Sequence, residues 1–228
     1  MVLPRLYPIV DKATLDARGI SFAAFAAELA AAGVGIVQYR DKLGGPQEVL
    51  RGAQAVAQAF AGVPCLFVMN DRADLAALLG WGVHVGQGDL AVPDARRVLD
   101  RKRRFPTGMT NKKDEARLVG VSTHTEQQVL RLTALAQDDK LSGPDYVAIG
   151  PVFATGTKAD AEPVVGLEGV RRARALTKLP LVAIGGITLE NARSVMDAGA
   201  DSVAGIGGLF VPGRTVGEVV GDFLRVLG

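Results

Sequence analysis

One pattern recurs eight times along the chain and constrains its fold more than any other feature. A short β-branched apolar run is followed by a polar or glycine-rich turn and then by an Ala- and Leu-rich amphipathic segment. Eight such βα units close an α/β barrel of the TIM, or (β/α)8, type. The predicted strands are Leu6 to Val10, Gly35 to Tyr39, Cys65 to Met69, Gly82 to Val85, Leu118 to Val121, Tyr146 to Ile149, Leu181 to Ile184 and Ser202 to Ile206. We expect one catalytic domain over residues 1–228.

A polar, basic insertion at about residues 101–117 interrupts the pattern between the fourth predicted helix and the fifth strand. Its sequence is RKRRFPTGMTNKKDEAR. Connections from helix to strand lie on the N-terminal side of such a barrel, whereas catalysis uses the loops from strand to helix. We therefore expect the insertion to lie away from the active face and to tolerate shortening.

Composition narrows the possible partners. A net charge of +2 is too small to predict nucleic-acid binding, and the basic insertion has no aromatic residue beyond Phe105, whereas a single-strand binder interleaves several. No apolar run is long enough to span a bilayer, and the first residues lack a secretory signal. The single cysteine, Cys65, is predicted to be an inert core thiol. We expect a cytoplasmic protein that acts on small molecules, with no nucleic acid or membrane partner and with a homo-oligomer left open.

Two of the predicted strands end in a carboxylate. Asp71 follows the third strand, and Asp89 follows the fourth strand after a short glycine-containing turn. Because the carboxyl ends of neighbouring parallel strands lie side by side, the two carboxylates can face one cavity. Two carboxylates that leave room for water suit Mg²⁺, whose coordination is commonly completed by phosphate oxygens. The alternative is that Asp71 caps the following helix and that Asp89 begins a turn.

Three polar side chains share one face at the end of the second predicted strand. Alternation points Gln38, Arg40 and Lys42 in the same direction. A glutamine at depth can hydrogen-bond a heterocycle, while the arginine fork and the lysine charge can hold a diphosphate. The alternative is a strand end exposed on the surface.

The fifth predicted strand ends in a hydroxyl and an imidazole. Ser122 can orient a substrate or bind phosphate, or it can cap the following helix. His124 has no evident partner in the sequence, and His84 is expected to point into the barrel wall or its packing. We assign neither histidine as a catalytic base.

The loop after the sixth predicted strand brings two hydroxyls, a glycine and a lysine together. Thr155, Gly156, Thr157 and Lys158 can surround an anion with hydroxyl, backbone N–H and ammonium donors. An ordinary turn would explain the glycine and threonine content but not the lysine.

The seventh and eighth predicted strands both end in glycine-rich turns. These contain Gly185 and Gly186 in one case and Gly207 and Gly208 in the other. Loops at these places in TIM barrels often bind phosphate through backbone N–H groups, because glycine allows a close approach. Tight strand-to-helix turns are the alternative.

Together these residues resemble the thiamine-phosphate synthase family, barrel enzymes that join the pyrimidine and thiazole halves of thiamine. The resemblance covers nearly the whole chain. It is carried by QYRDK at Gln38–Lys42, MNDRADLA at Met69–Ala76, GVHVGQGDL at Gly82–Leu90, GVSTH at Gly120–His124, GPVFATGTK at Gly150–Lys158 and AIGGI at Ala183–Ile187.

The resemblance implies a set of site residues. The substrate 4-amino-2-methyl-5-hydroxymethylpyrimidine diphosphate would be held by Gln38, Arg40, Lys42, Asn70 and Lys158, with Mg²⁺ on Asp71 and Asp89. Ser122 matches the family serine beside the pyrimidine. The thiazole phosphate would be surrounded by Thr155, Gly156, Thr157, Gly186, Ile206 and Gly207. Gly207 departs from the family pattern, since members commonly carry serine there.

The resemblance also implies a dissociative reaction without a protein nucleophile. Arg40, Lys42 and Lys158 would stabilise the departing pyrophosphate, and the thiazole nitrogen would attack the methylene carbon of the pyrimidine. With Ser122, these are the predicted catalytic residues.

Two other functions compete with this one. A thiazole tautomerase of the same family uses a histidine near the end of strand five, where this chain has Ser122. A noncatalytic sensor of thiamine precursors would have no need to retain both predicted metal carboxylates.

Overall fold

Eight parallel strands close into a barrel in the computed structural model, which describes residues 1–100, 117–137, 143–156 and 163–228. Each strand pairs with the next in sequence, and the eighth pairs with the first. The strands are β1 (Leu6–Asp11), β2 (Ile36–Arg40), β3 (Leu66–Asn70), β4 (Gly82–Val85), β5 (Val119–Thr123), β6 (Tyr146–Ile149), β7 (Leu181–Ile184) and β8 (Ser202–Gly205). The predicted TIM barrel is confirmed, with strand ends shifted by one or two residues.

Helices follow the strands around the outside of the barrel. They are α1 (Lys12–Ala17), α2 (Phe22–Ala31), α3 (Pro46–Ala59), α4 (Ala73–Leu79), α5 (Val92–Asp100), α6 (Glu126–Gln137), α7 (Gly166–Leu176), α8 (Ala192–Asp197) and α9 (Val216–Leu227), with a short 3₁₀ helix at Gly207–Leu209. The pattern of eight units does not predict α1, because six residues are too few to show helical periodicity. Asp11 starts this helix by accepting a hydrogen bond from the Thr14 N–H at 2.9 Å.

The apolar residues that the structure describes form two separate cores. The larger one lies between the outward faces of the strands and the helices. The smaller one fills the barrel interior with Leu3, Tyr7, Ile9, Ile36, Val68, Leu118, Tyr146, Ala148, Val182 and Ala204. Because the interior is packed, a ligand cannot occupy the middle of the barrel, and TIM barrels place their active sites at the carboxyl ends of the strands.

The two ends of the predicted insertion are held together on the N-terminal side of the barrel. Arg96 of α5 donates to the Arg117 carbonyl at 2.6 Å and pairs with Asp145 at 2.5 Å. Arg117 in turn donates to the Leu99 carbonyl at 2.5 Å. Residues 101–116 themselves lie outside the described residues. Within the described ranges, no helix is long and apolar enough to cross a membrane.

Candidate active site

A cavity of about 420 Å³ opens at the carboxyl end of the barrel. Its lining comes from the ends of β5, β6, β7 and β8 and from Arg40 of β2. The predicted site residues that line it are Arg40, Ser122, Thr155, Gly156, Gly186, Ile206 and Gly207. The fold thus brings residues from opposite ends of the sequence to one surface.

The turn after β7 requires glycine. Gly185 and Gly186 have φ angles of +99° and +64°, in the left-handed region that favours glycine. A Cβ on Gly186 would lie 2.6 Å from the Ala154 carbonyl oxygen, because the loop after β6 packs directly on this turn. The Phe153 N–H donates to the Gly185 carbonyl at 3.0 Å. The described parts of two predicted anion-binding loops therefore pack together as one rim of the cavity.

The predicted polar face of β2 exists, and most of it is buried. Gln38 is 4% exposed and lies inside the barrel. Arg40 forms an ion pair with Asp11, which is 3% exposed. Lys42 is half-exposed and lies with its Nζ 3.2 Å from Asp71 Oδ2. The alternative of a surface strand end is wrong for Gln38 and Arg40.

Sequence reasoning missed Asp11, although the signal was present. Asp11 follows an apolar strand in the same way as Asp71 does. Its two carboxylate oxygens divide their roles, since Oδ1 caps α1 and Oδ2 accepts from Arg40. The side chain therefore holds the Arg40 guanidinium at the edge of the cavity.

Asp71 and Asp89 lie close enough to influence each other. Burial raises the pKa of Asp71, and contact with Asp89 and its charge raise it further, while Lys42 opposes the rise. The side chain of Asp71 does not cap α4, so that alternative is wrong. The side chain of Asp89 does close its turn, because Oδ2 accepts from the Gly86 N–H at 2.8 Å.

This pair has the donor chemistry that Mg²⁺ requires. The negative charges of the two carboxylates repel each other. Lys42 offsets part of this repulsion, and a bound divalent cation would offset more of it. Among the described residues, no group of three His, Cys, Asp or Glu side chains is arranged to hold a metal. Mg²⁺ is commonly bound by one or two carboxylates with water and phosphate oxygens, so the pair fits a substrate-completed site.

Ser122 belongs to a chain of hydrogen-bonded side chains and does not cap α6. Its Oγ lies 2.8 Å from His84 Nε2, and His84 Nδ1 lies 3.0 Å from the Tyr146 hydroxyl. The helix is capped by Thr125, which accepts from the Gln128 N–H. His84 is buried inside the barrel, as the sequence predicted, but its partners were not predicted.

His124 and Gln87 support the same edge of the barrel. His124 lines the cavity, and its Nδ1 lies 2.6 Å from the Gly150 carbonyl oxygen. Gln87 donates to the Ser122 carbonyl at 2.6 Å. These two contacts connect the ends of β4, β5 and β6.

The predicted site residues do not all share the cavity wall. Those outside its lining are Gln38, which lies inside the barrel on β2, and Lys42, Asn70, Asp71 and Asp89, which lie at or just past the ends of β2, β3 and β4. Thr157 and Lys158 lie outside the described residues. Their roles, like those of the other site residues, stay predictions.

Comparison with known proteins identifies relatives of this chain. The profile of the family described as thiamine monophosphate synthase matches residues 6–209. The chain belongs to this family. It shares 44% identity over 228 residues with a thiamine-phosphate synthase of Koribacter versatilis, covering 99% of this chain and 96% of the relative.

Other members of the thiamine monophosphate synthase family extend the likeness. The Methanoculleus marisnigri thiamine-phosphate synthase is 38% identical over 200 residues, covering 87% of this chain and 84% of its own length. The solved structure of the thiamine phosphate pyrophosphorylase from Pyrococcus furiosus superposes with a TM-score of 0.76 at 25% identity, covering 98% of this chain and 95% of the other.

Proposed function

We propose that the protein is a thiamine-phosphate synthase. It joins 4-amino-2-methyl-5-hydroxymethylpyrimidine diphosphate to a thiazole phosphate and releases thiamine phosphate and pyrophosphate. It is a transferase of the thiamine biosynthetic route, with the whole chain as one catalytic domain and the cytoplasm as its predicted location.

The observation that carries the proposal is that two chemically different surfaces lie at the carboxyl end of the barrel. On one side lies the cavity of about 420 Å³, with its glycine-rich rim. On the other lies the charged group of Lys42, Asp71 and Asp89. The first suits a phosphate ester on an apolar ring, and the second suits a diphosphate with a divalent cation. A condensation of two such substrates needs both surfaces side by side.

On the charged side, the proposal assigns the diphosphate to the cations. Arg40, held by Asp11, offers a planar fork to phosphate oxygens, and Lys42 offers a mobile charge. Asp71 and Asp89 would hold Mg²⁺, which when bound would neutralise charge on the leaving pyrophosphate. Lys158 is proposed as a third cation for the same group.

On the cavity side, the proposal assigns the thiazole phosphate to the rim. Gly186 and Gly207 allow an anion to approach the backbone, and Ile206 offers an apolar surface to the ring. Thr155, Gly156 and Thr157 would close over the phosphate. Holding the thiazole nitrogen next to the pyrimidine methylene carbon would supply much of the remaining rate enhancement.

The direct test is the reaction itself. Purified protein is incubated with the pyrimidine diphosphate and the thiazole phosphate, with Mg²⁺ and then with a chelator, while thiamine phosphate and pyrophosphate are both followed. We expect both products only with the metal. The pyrimidine diphosphate alone is the control that separates condensation from hydrolysis. The absence of both products with folded protein and intact substrates would contradict the proposal.

The tautomerase is the second candidate, and one observation favours it. His124 lines the cavity near the end of β5, where an imidazole could reach a thiazole ring. If condensation fails, the next assay is tautomerisation of the carboxylated thiazole phosphate, and loss of that activity in His124→Asn would support this alternative.

A further inference from the structure

We propose that Tyr7, Tyr146 and His84 form a positioning relay that sets the hydrogen-bonding roles of Ser122 and Gln38 toward the pyrimidine. The relay makes Ser122 a donor and leaves the Gln38 carbonyl oxygen as an acceptor. The inference rests on the proposed function, since it concerns how that site recognises its first substrate. Tyr7 and Tyr146 lie beneath the cavity lining and act through the two end residues.

The relay is a continuous chain of side chains across the barrel interior. Ser122 Oγ lies 2.8 Å from His84 Nε2, and His84 Nδ1 lies 3.0 Å from the Tyr146 hydroxyl. The Tyr146 hydroxyl lies 2.9 Å from the Tyr7 hydroxyl. Gln38 Nε2 donates to the Tyr7 hydroxyl at 3.4 Å, the longest link. Five strands, β1, β2, β4, β5 and β6, each contribute one member.

Proton counting assigns a direction to the chain. Because the Gln38 amide donates to Tyr7, Tyr7 donates to Tyr146, and Tyr146 then donates to His84 Nδ1. The imidazole proton consequently lies on Nε2 and is donated to Ser122 Oγ. If the protons ran the other way, Tyr7 would have to donate its proton to Gln38. The Gln38 side chain presents an N–H to Tyr7 and not an acceptor, so that direction is ruled out.

This direction matches an aminopyrimidine. The Ser122 proton is left for a ligand in the cavity, which Ser122 lines. Because Gln38 Nε2 faces Tyr7, the Gln38 carbonyl oxygen faces away from Tyr7. In this proposal that oxygen accepts from the amino group of the ring. An aminopyrimidine carries both a ring nitrogen that accepts and an amino group that donates. The relay therefore favours an aminopyrimidine over a ring that offers a donor to Ser122 and an acceptor to the Gln38 carbonyl oxygen.

The barrel is built to accommodate the relay. Tyr7 and Tyr146 are 1% and 0% exposed. Their rings meet edge to face at 6.0 Å, and His84 stacks on Tyr146 at 5.6 Å. Gly120 makes room for the Tyr146 ring, since a Cβ there would lie 2.0 Å from Cζ. Buried hydroxyls are costly unless they are paired, so a paired chain holds its members in one arrangement.

The first test uses three tyrosine-to-phenylalanine variants. Tyr146→Phe and Tyr7→Phe each break the chain. Tyr39→Phe is the matched control, because Tyr39 is equally buried but its hydroxyl packs outside the barrel near Gly52. We expect the first two variants to raise KM for the pyrimidine diphosphate about tenfold, with KM for the thiazole phosphate unchanged. The Tyr39→Phe variant should retain both values.

The second test reads the imidazole proton directly. The chain has two histidines, so NMR of isotope-labelled histidine side chains reports on both without crowding. His124 is the internal reference. Its Nδ1 faces the Gly150 carbonyl oxygen, which can only accept, so the His124 proton must lie on Nδ1. We expect the proton of His84 on Nε2 in the wild type and a mixture of tautomers in Tyr146→Phe, with His124 unchanged.

The outcomes separate the relay from the proposed function. If the wild type makes no thiamine phosphate, the function fails, while the tautomer experiment still tests the chain. If the wild type is active but Tyr146→Phe and Tyr7→Phe behave like Tyr39→Phe in both KM values, the positioning role is refuted. A proton on His84 Nδ1 in the wild type would refute the direction.

Discussion

Asp11 and Arg40 stand opposite each other in the ladder between β1 and β2 and form an ion pair at the carboxyl end of the barrel. Asp11 is nearly inaccessible, while Arg40 reaches the cavity. The same carboxylate starts α1, so one side chain connects the beginning of a helix to the position of a substrate-facing cation.

Replacing Asp11 with asparagine should weaken diphosphate binding without removing α1. Asparagine can still accept from the Thr14 N–H, but it loses the charge that orients Arg40. We expect KM for the pyrimidine diphosphate to rise about tenfold and the free energy of unfolding to fall by about 2 kcal/mol. Asp16→Asn, which removes an exposed charge from the same helix, is the control. Identical kinetics in both variants would contradict this role.

Asp71→Asn should weaken the binding of Mg²⁺ while folding and the binding of thiazole phosphate change little. Asparagine tolerates the left-handed backbone at this position, where φ is +60°, so the variant should fold normally. Loss of a residue that only hydrogen-bonds to a metal ligand lowers metal affinity about 10- to 100-fold. We therefore expect calorimetry to show at least a tenfold weaker affinity for Mg²⁺ when a ligand itself is replaced. Binding of thiazole phosphate should change little. Asp74→Asn, on the exposed start of α4, should leave metal affinity unchanged, and equal losses in the two variants would argue against the assignment.

Gly186→Ala should disturb the rim and weaken binding of the thiazole phosphate. The new Cβ would meet Ala154 O at 2.6 Å and would force the loops after β6 and β7 apart. Gly80→Ala is the control, because its φ of +76° is also left-handed but nothing lies within 4 Å of the new atom. Both variants should lose about 1 kcal/mol of stability from backbone strain, and Gly186→Ala should lose more because of the clash. Only Gly186→Ala should raise KM for the thiazole phosphate, and an unaltered KM would show that the rim does not hold it.

Alkaline titration should show all three tyrosines ionising only as the protein unfolds. Burial is the main cause that raises the pKa of Tyr7, Tyr39 and Tyr146 above the ordinary 10.0. A raised pKa in the folded state contributes stability below pH 10.0 that is lost at higher pH, because only the unfolded chain releases these protons. Tyrosinate absorbance and far-ultraviolet circular dichroism should therefore change together. A tyrosine that titrates near pH 10 while the dichroism is unchanged would contradict the burial argument.

Replacing residues 101–116 with a short glycine and serine linker should leave catalysis intact. Arg96 and Arg117 already hold the two ends of this segment together on the N-terminal side, so a linker of about six residues should suffice. We expect unchanged kcat and KM for both substrates. The comparison is Arg96→Ala, which removes the contacts to Arg117 and Asp145 and should lower stability by about 2 kcal/mol. A loss of activity in the linker variant with its stability retained would assign the segment a part in the site.

The sequence predicts the barrel well because its period of strand and helix is regular, and it locates the active face because parallel strands end together. It predicts the common direction of Gln38, Arg40 and Lys42 for the same reason, since alternation is a local property. It does not reveal the relay, because Tyr7 and Tyr146 are 139 positions apart and either one alone resembles an ordinary core tyrosine. Nor does it show that Asp71 and Asp89 lie beside the cavity and not in its wall, because that depends on how far each loop extends beyond its strand.

The contact between Gly120 and Tyr146 also has a consequence for how this barrel can diverge. Tyr146 tolerates only glycine opposite it, whereas a small residue at position 146 would accept glycine or a larger side chain at position 120. Substitution must therefore begin at Tyr146, and any lineage that keeps this tyrosine must also keep the glycine. The two positions are therefore expected to be inherited as a pair.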